Sequence, residues 1–312
     1  MTQIRTTGRP TTPAQSFLFA GEETPCWYAV RPAVGSCDPG EAERLLRSSQ
    51  SAAGPEHFRA ARVLLHDGRP HQVALWCHEL RNRARTAAWA TAFGALRSES
   101  LVHLGDLPAA EYEAAEAGGD GADLPAALGS WTTALLTESL IEQGRHEEAA
   151  ARLGEPAANP DLSGIPPLRA HGRLLLALDR PGEALTAFTR VALLVRRHTT
   201  ELLPHLPWRS DLAQALLRLG QRDQAHALLM EELASPAPGP RERGIALRVL
   251  SATEAPERRL PTLSRAATEL RRSDERIELA RVLDDFAHTL DTLGEPSTAE
   301  VFRRRAAGLL AA

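Results

Sequence analysis

The sequence predicts an all-α fold, a solenoid of about seven to eight helical hairpins. Three observations carry this: one stretch spells out a complete hairpin, its turn recurs at a regular spacing, and no segment alternates as a strand would. The complete hairpin is 207–233, PWRSDLAQALLRLGQRDQAHALLMEEL. Trp208, Leu212, Ala215, Leu216 and Leu219 recur at i, i+4, i+7, i+8 and i+11, so all five share one helical face. Pro207 suits a first turn, where its missing N–H costs nothing. Gly220 offers the left-handed backbone that closes a helix. From Asp223 a second stripe, Ala225, Leu228, Leu229 and Leu233, faces back onto the first, and Ala225 is small enough to let the two helices approach.

A turn residue followed five positions later by a small or apolar one serves as a ruler along the chain. It finds Gly68 with Val73, Gly105 with Ala110, Gly144 with Ala149, Asp179 with Ala184, Gly220 with Ala225 and Gly294 with Ala299. The gaps are 37, 39, 35, 41 and 74, and the last is twice 37, so a degraded unit belongs midway, at Ala255 and Leu260. A period in the thirties is the signature of stacked helical hairpins, slightly longer than the ~34 residues of a strict tetratricopeptide repeat (TPR). Each unit then buries its apolar face only on its neighbours, and 312 residues require no domain boundary.

Taken in order, residues 1–23 read as a flexible leader, polar and Pro-containing through residue 13, and 24–312 as the repeat domain. An eroded hairpin at 24–50 has Cys37 and Ala42 in the ruler positions. Readable units follow at 56–80, 82–117, 124–153, 165–197, 207–233, 241–270 and 277–310, separated by the loop-forming runs GGDGAD, EPAANPDLSGIPP and SPAPGP.

Composition excludes several functions. All 36 basic residues are arginine, so a P-loop lysine and a Schiff-base lysine are both ruled out. Net charge is −4 with acids and bases interleaved, which leaves no basic stripe for direct nucleic-acid binding. Cys26, Cys37 and Cys77 lack metal spacing and do not form a disulfide framework; they read as reduced thiols of a cytoplasmic protein. The apolar run SFLFA is too short for a signal or a membrane span. His66, His71 and His78 straddle the Gly68 turn, and no pair has HExxH spacing, so neither a metal nor a cofactor is expected.

Binding residues are expected on first helices, which in hairpin solenoids line the concave side of what should be a right-handed superhelix. The candidates are Trp131, Arg169, Arg173, Trp208, Arg209 and Asp211, an arginine-rich groove able to hold an acidic ligand. About 100° of helix separates Trp208 from Arg209. The stripe gives Trp208 the core and places Arg209 nearer the groove. Against this stands core packing for the tryptophans and a solvated charged face for the arginines. Arg243 and Arg248, and Arg281 with Asp284, continue the pattern.

The order of LLLALDRPGEALTAF, LPWRSDLAQALLRLGQRDQAHALLMEEL, RGIALRVLSAT and the segment from LPTLSRA to FRRRAAGLL resembles the helical-repeat region of large ATP-binding LuxR-type (MalT-like) transcriptional regulators. The resemblance is strongest over 131–310. In that family an ATPase module precedes the repeats and a helix-turn-helix follows them; neither motif is in this sequence, so ATP hydrolysis and DNA binding do not carry over. What the resemblance implies is a sensor-like solenoid, an excised piece or a free-standing derivative. It would be a regulatory scaffold for a protein partner or a small-molecule effector, with a homo-oligomer left open, and not an enzyme. The alternative is a solenoid recruited as a cofactor-free cyclase or isomerase with its active site in the groove.

Overall fold

The computed structural model describes residues 38–48, 51–119, 124–155, 157, 161–197, 206–235 and 238–310. The expected leader and residues 24–37 of the eroded hairpin lie outside them. What is described of that hairpin is one helix, α1 (Pro39–Ser48), with Ala42 fully buried. Seven hairpins follow: α2 (Pro55–His66) with α3 (Pro70–Asn82), α4 (Ala87–His103) with α5 (Leu107–Gly118), α6 (Ala126–Glu142) with α7 (His146–Leu153), and α8 (Ile165–Ala177) with α9 (Pro181–Arg197). The last three are α10 (Trp208–Arg218) with α11 (Arg222–Ala234), α12 (Pro240–Ser251) with α13 (Pro256–Arg272), and α14 (Arg276–Thr292) with α15 (Pro296–Leu310). Among the described residues the fold is all-α, a TPR-like solenoid; a single bridge, Ala53 to Ala84, is the β-type pairing present. No described helix is long and apolar enough to cross a membrane.

Six of the hairpins share one turn. Gly68, Gly105, Gly144, Gly220 and Gly294 take φ between 75° and 83°, and Asp179 takes 55°. The residue after each donates its N–H to a leucine carbonyl five positions back, Arg69 to Leu64 at 3.0 Å and Gln221 to Leu216 at 2.9 Å, with Leu101, Leu140, Leu175 and Leu290 in the equivalent place. This is the Schellman arrangement, which satisfies the carbonyls a helix end would otherwise leave open. Five residues past the turn, Val73, Ala110, Ala149, Ala184, Ala225 and Ala299 all have no exposed surface. The small residue is where the second helix meets the first.

The sixth hairpin departs from this. Its turn closes on i→i−3 bonds, Thr253 N–H to Leu250 at 2.8 Å and Glu254 N–H to Ser251 at 3.0 Å, and no described residue there has positive φ. The chain then extends at Ala255 (ψ 147°) and Pro256 restarts the helix, because a residue before proline is pushed out of the helical region. Leu260 is only half-buried. Close packing moves to Gly244 of α12, where an added Cβ would stand 2.5 Å from Leu270.

Gly172 plays the equivalent part in hairpin four: a Cβ there would lie 2.5 Å from the fully buried ring of Phe188. Gly172→Ala is expected to destabilise the protein by about 1 to 3 kcal/mol despite the better helix propensity of alanine. Gly182→Ala, with nothing within 4 Å of the new methyl, is the matched control and should be neutral or mildly stabilising in urea denaturation.

Candidate functional site

The first helices α6, α8, α10, α12 and α14 surround a cavity of about 860 Å³. Its lining mixes apolar side chains, Ile141, Leu176, Leu217, Ile245 and Val249, with arginines and acids carried on the same helices. Glu142 projects from α6, Arg169 and Arg173 from α8, Asp211 and Gln214 from α10, Arg248 from α12, and Glu278, Arg281 and Asp285 from α14, with Glu138 of α6 one turn before Glu142 on the side chamber that Arg169 shares. In each helix the charged positions are spaced three, four or seven apart, which keeps them on one face.

These side chains form a continuous chain of ion pairs that runs from Asp211 to Asp285. Arg169 donates to Glu138 at 2.9 Å and, by a second branch, to Asp211. Arg173 donates to Glu142 at 2.6 Å and stands 3.4 Å from Glu138. Arg248 donates to Glu278 at 3.0 Å and reaches Asp285 and Gln214 at 3.4 and 3.5 Å. Arg281 donates to Glu278 and grips both oxygens of Glu142 at 2.8 and 2.7 Å, across 139 residues of sequence. Burial works against ionisation of Glu138 and Glu278, yet the arginines outweigh it: Arg169 and Arg173 hold Glu138 below the usual carboxylate range, and Arg281 and Arg248 do so for Glu278. Every arginine in this series of ion pairs is thus held by carboxylates.

Of the six residues expected from sequence, Arg169, Arg173 and Asp211 line this cavity together. The other three are placed elsewhere. Trp131 is buried, meets Phe58 edge-on at 6.0 Å between ring centroids, and lines a side chamber of about 70 Å³ behind Arg169. Trp208 belongs to the same large core. Arg209 does not take the groove-facing place expected for it: its guanidinium lies over the Trp208 ring, 4.3 Å from the centroid, and points towards Glu231 at 3.6 Å. Stacking on the neighbouring indole holds the long side chain beside its own helix. Arg243 was likewise expected in the series, but Arg241 is the residue that faces inward, donating to Glu275 at 2.6 Å. Sequence reading missed Glu138, Glu142, Glu278 and Asp285; the signal available was acid at i, i+4 or i, i+7 beside an apolar stripe. Among the described residues no group of three or more His, Cys, Asp or Glu could hold a metal.

Two carboxyls outside the cavity lining are perturbed upward. Burial pushes Glu275 to about 7 against the pull of Arg241, and burial pushes Glu232 to about 7, only partly offset by the hydroxyl of Ser210 donating at 2.7 Å.

A family model for the tetratricopeptide repeat matches residues 130–155 and 207–229, hairpin three and most of hairpin five. No curated protein matches the chain. Among solved structures, the crystal structure of a Rap protein complexed with competence and sporulation factor is similar, with a TM-score of 0.59 at 13% identity, covering 86% of this chain and 79% of that one. At that identity the likeness is one of fold.

Glu232 provides a pH test. A carboxyl that binds its proton more tightly when folded stabilises the protein below its unfolded pKa, near 4.5, and that contribution is lost as pH rises through about 7. Glu232→Gln cannot ionise. Its stability relative to the parent should therefore improve between pH 5 and pH 8 by roughly 2 to 3 kcal/mol, read from urea unfolding at both pH values.

Proposed function

We propose that the chain is a regulatory binding scaffold whose concave cavity receives a protein segment or a small effector, a relative of the sensor region of LuxR-type regulators. The observation that carries this reading is the 860 Å³ cavity on first helices, whose lining mixes apolar side chains with paired arginines and carboxylates. Pockets of that size with a few fixed polar groups suit an amphipathic ligand. The Rap-like fold supports it, since the Rap structure holds a bound factor on a similar scaffold. The order of repeat motifs over 131–310 supports the LuxR relation.

An enzymatic reading would need an acid or base tuned within the cavity. Glu232 and Glu275, pushed to about 7, are not among the residues that line it; burial raises Asp284 and Asp285, which are, and an acid role would fall to them. Four of the lining arginines, Arg169, Arg173, Arg248 and Arg281, are already held by carboxylates, while Arg222 donates to the Ala252 carbonyl; an acidic group would meet Arg222 at less cost than it would displace Glu142 or Asp285, and apolar groups would meet the apolar residues beside it.

Ala177, exposed on the cavity lining at the end of α8, gives the test. Fluorescein-labelled pools of mixed-sequence octapeptides should bind the parent saturably in fluorescence anisotropy. Ala177→Trp, which fills the cavity from a solvent-facing position, should weaken binding at least about tenfold, or 1.4 kcal/mol, with an unchanged circular dichroism spectrum. Full binding by the tryptophan variant would move the site elsewhere.

A further inference from the structure

The solenoid curls until its early and late hairpins touch. Gly239, the residue before α12, packs on the end of α2: a Cβ there would run into the carbonyl oxygen of His66 and stand 3.1 Å from the His66 ring and 3.0 Å from Glu242. Its backbone is ordinary, φ −72° and ψ 179°, so the missing side chain is needed for this approach and not for the turn. The tips of hairpins one and two rest on the connection into α14. A Cβ at Gly68 would lie 2.7 Å from Cα of Ser273, and one at Gly105 would lie 3.5 Å from Cβ of Arg276. Ile277 packs with Ala74, Leu101, Val102 and Ala110 in a small apolar cluster of its own.

This junction is held more weakly than the stacking of adjacent hairpins. Its cross-chain charge contacts, His66 with Glu242 at 3.7 Å and His103 with Glu275 at 3.9 Å, are too long for hydrogen bonds. Buried Glu242 Oε2 accepts no hydrogen bond. Such a contact is among the first to open in local unfolding. What it secures is α14. Ile277 sits in the junction, Glu278 beside it pairs with Arg248, and Arg281 one turn later holds Glu142 across the cavity. One helix thus carries both the junction and a wall of the cavity.

We propose that the junction between hairpins one and two and the connection into α14 is a latch, whose closure fixes the α14 wall of the cavity and whose opening releases it. The proposal deepens the reading of the cavity as a binding site by assigning its regulation. When the latch opens, Arg281 withdraws from Glu142, exposing both to an occupant; an occupant that separates this pair loosens α14 and favours the open form by linkage.

Two variants test it by hydrogen-exchange mass spectrometry and small-angle scattering, without ligand. Gly239→Ala forces the junction apart. Exchange should accelerate at least tenfold at 66–69, at 272–277 and along 278–285, with a larger radius of gyration and an unchanged far-UV circular dichroism spectrum. Gly105→Cys with Arg276→Cys, in a chain carrying Cys26→Ser and Cys37→Ser, places two Cβ atoms at a disulfide-compatible separation, while Cys77 stays buried as a bystander; because Gly105 takes φ 76°, where a cysteine is strained, the reduced form of this same variant is the reference. Its oxidised form should slow exchange in all three segments, and reduction should reverse this. The latch is overturned if the disulfide fails to form under oxidising conditions, or if exchange at 272–277 changes in either variant while 278–285 does not. Should Gly239→Ala fail to fold, the disulfide pair decides alone. Because no ligand enters, these outcomes are separate from retention or loss of peptide binding in Ala177→Trp.

Discussion

The structure depends on one close approach repeated along the chain, a second helix lying against the first through a small residue five positions after the turn. A leucine four residues before the turn residue provides the carbonyl that the turn closes on, and the same leucine fills the hairpin interior. Turn chemistry and core packing therefore fix the same geometry, and agreement between local and global preferences makes a repeat fold robust. Hairpin six shows what replaces it: without a left-handed turn residue, Pro256 restarts the helix and Gly244 accepts the side chain of Leu270.

Stacking like hairpins has an electrostatic consequence. Equivalent faces of successive first helices come side by side, so any charge placed there faces a charge on the next helix. The chain of pairs from Asp211 through Arg169, Glu138, Arg173, Glu142, Arg281, Glu278 and Arg248 to Asp285 meets this condition by alternation, and the grip of Arg281 on Glu142 joins its two halves. A buried arginine without a carboxylate would be costly, whereas a satisfied network costs little and prescribes how the helices align. These pairs tie neighbouring first helices to one another along the cavity.

The cavity that results is mixed in character. Its apolar side chains and its paired charges can both be engaged by a ligand that carries both kinds of group, and engaging a paired charge costs the exchange of an internal ion pair for an external one.

By itself the sequence determined the hairpins. The recurring turn residues, the small residue after each and the apolar stripes were legible because they depend on contacts between residues close in the chain, and all seven units lie where that pattern puts them. Of the site, Arg169, Arg173 and Asp211 were legible as charges on the first-helix face. The acids they pair with were not read, nor was the position of Arg209, which the neighbouring indole of Trp208 draws over itself. Only the tertiary structure decided that Arg281 meets Glu142 and that His66 meets Gly239. A periodic pattern specifies each hairpin and its next neighbour, but the small rotation added at every step, summed over five or six units, decides which distant residues come into contact.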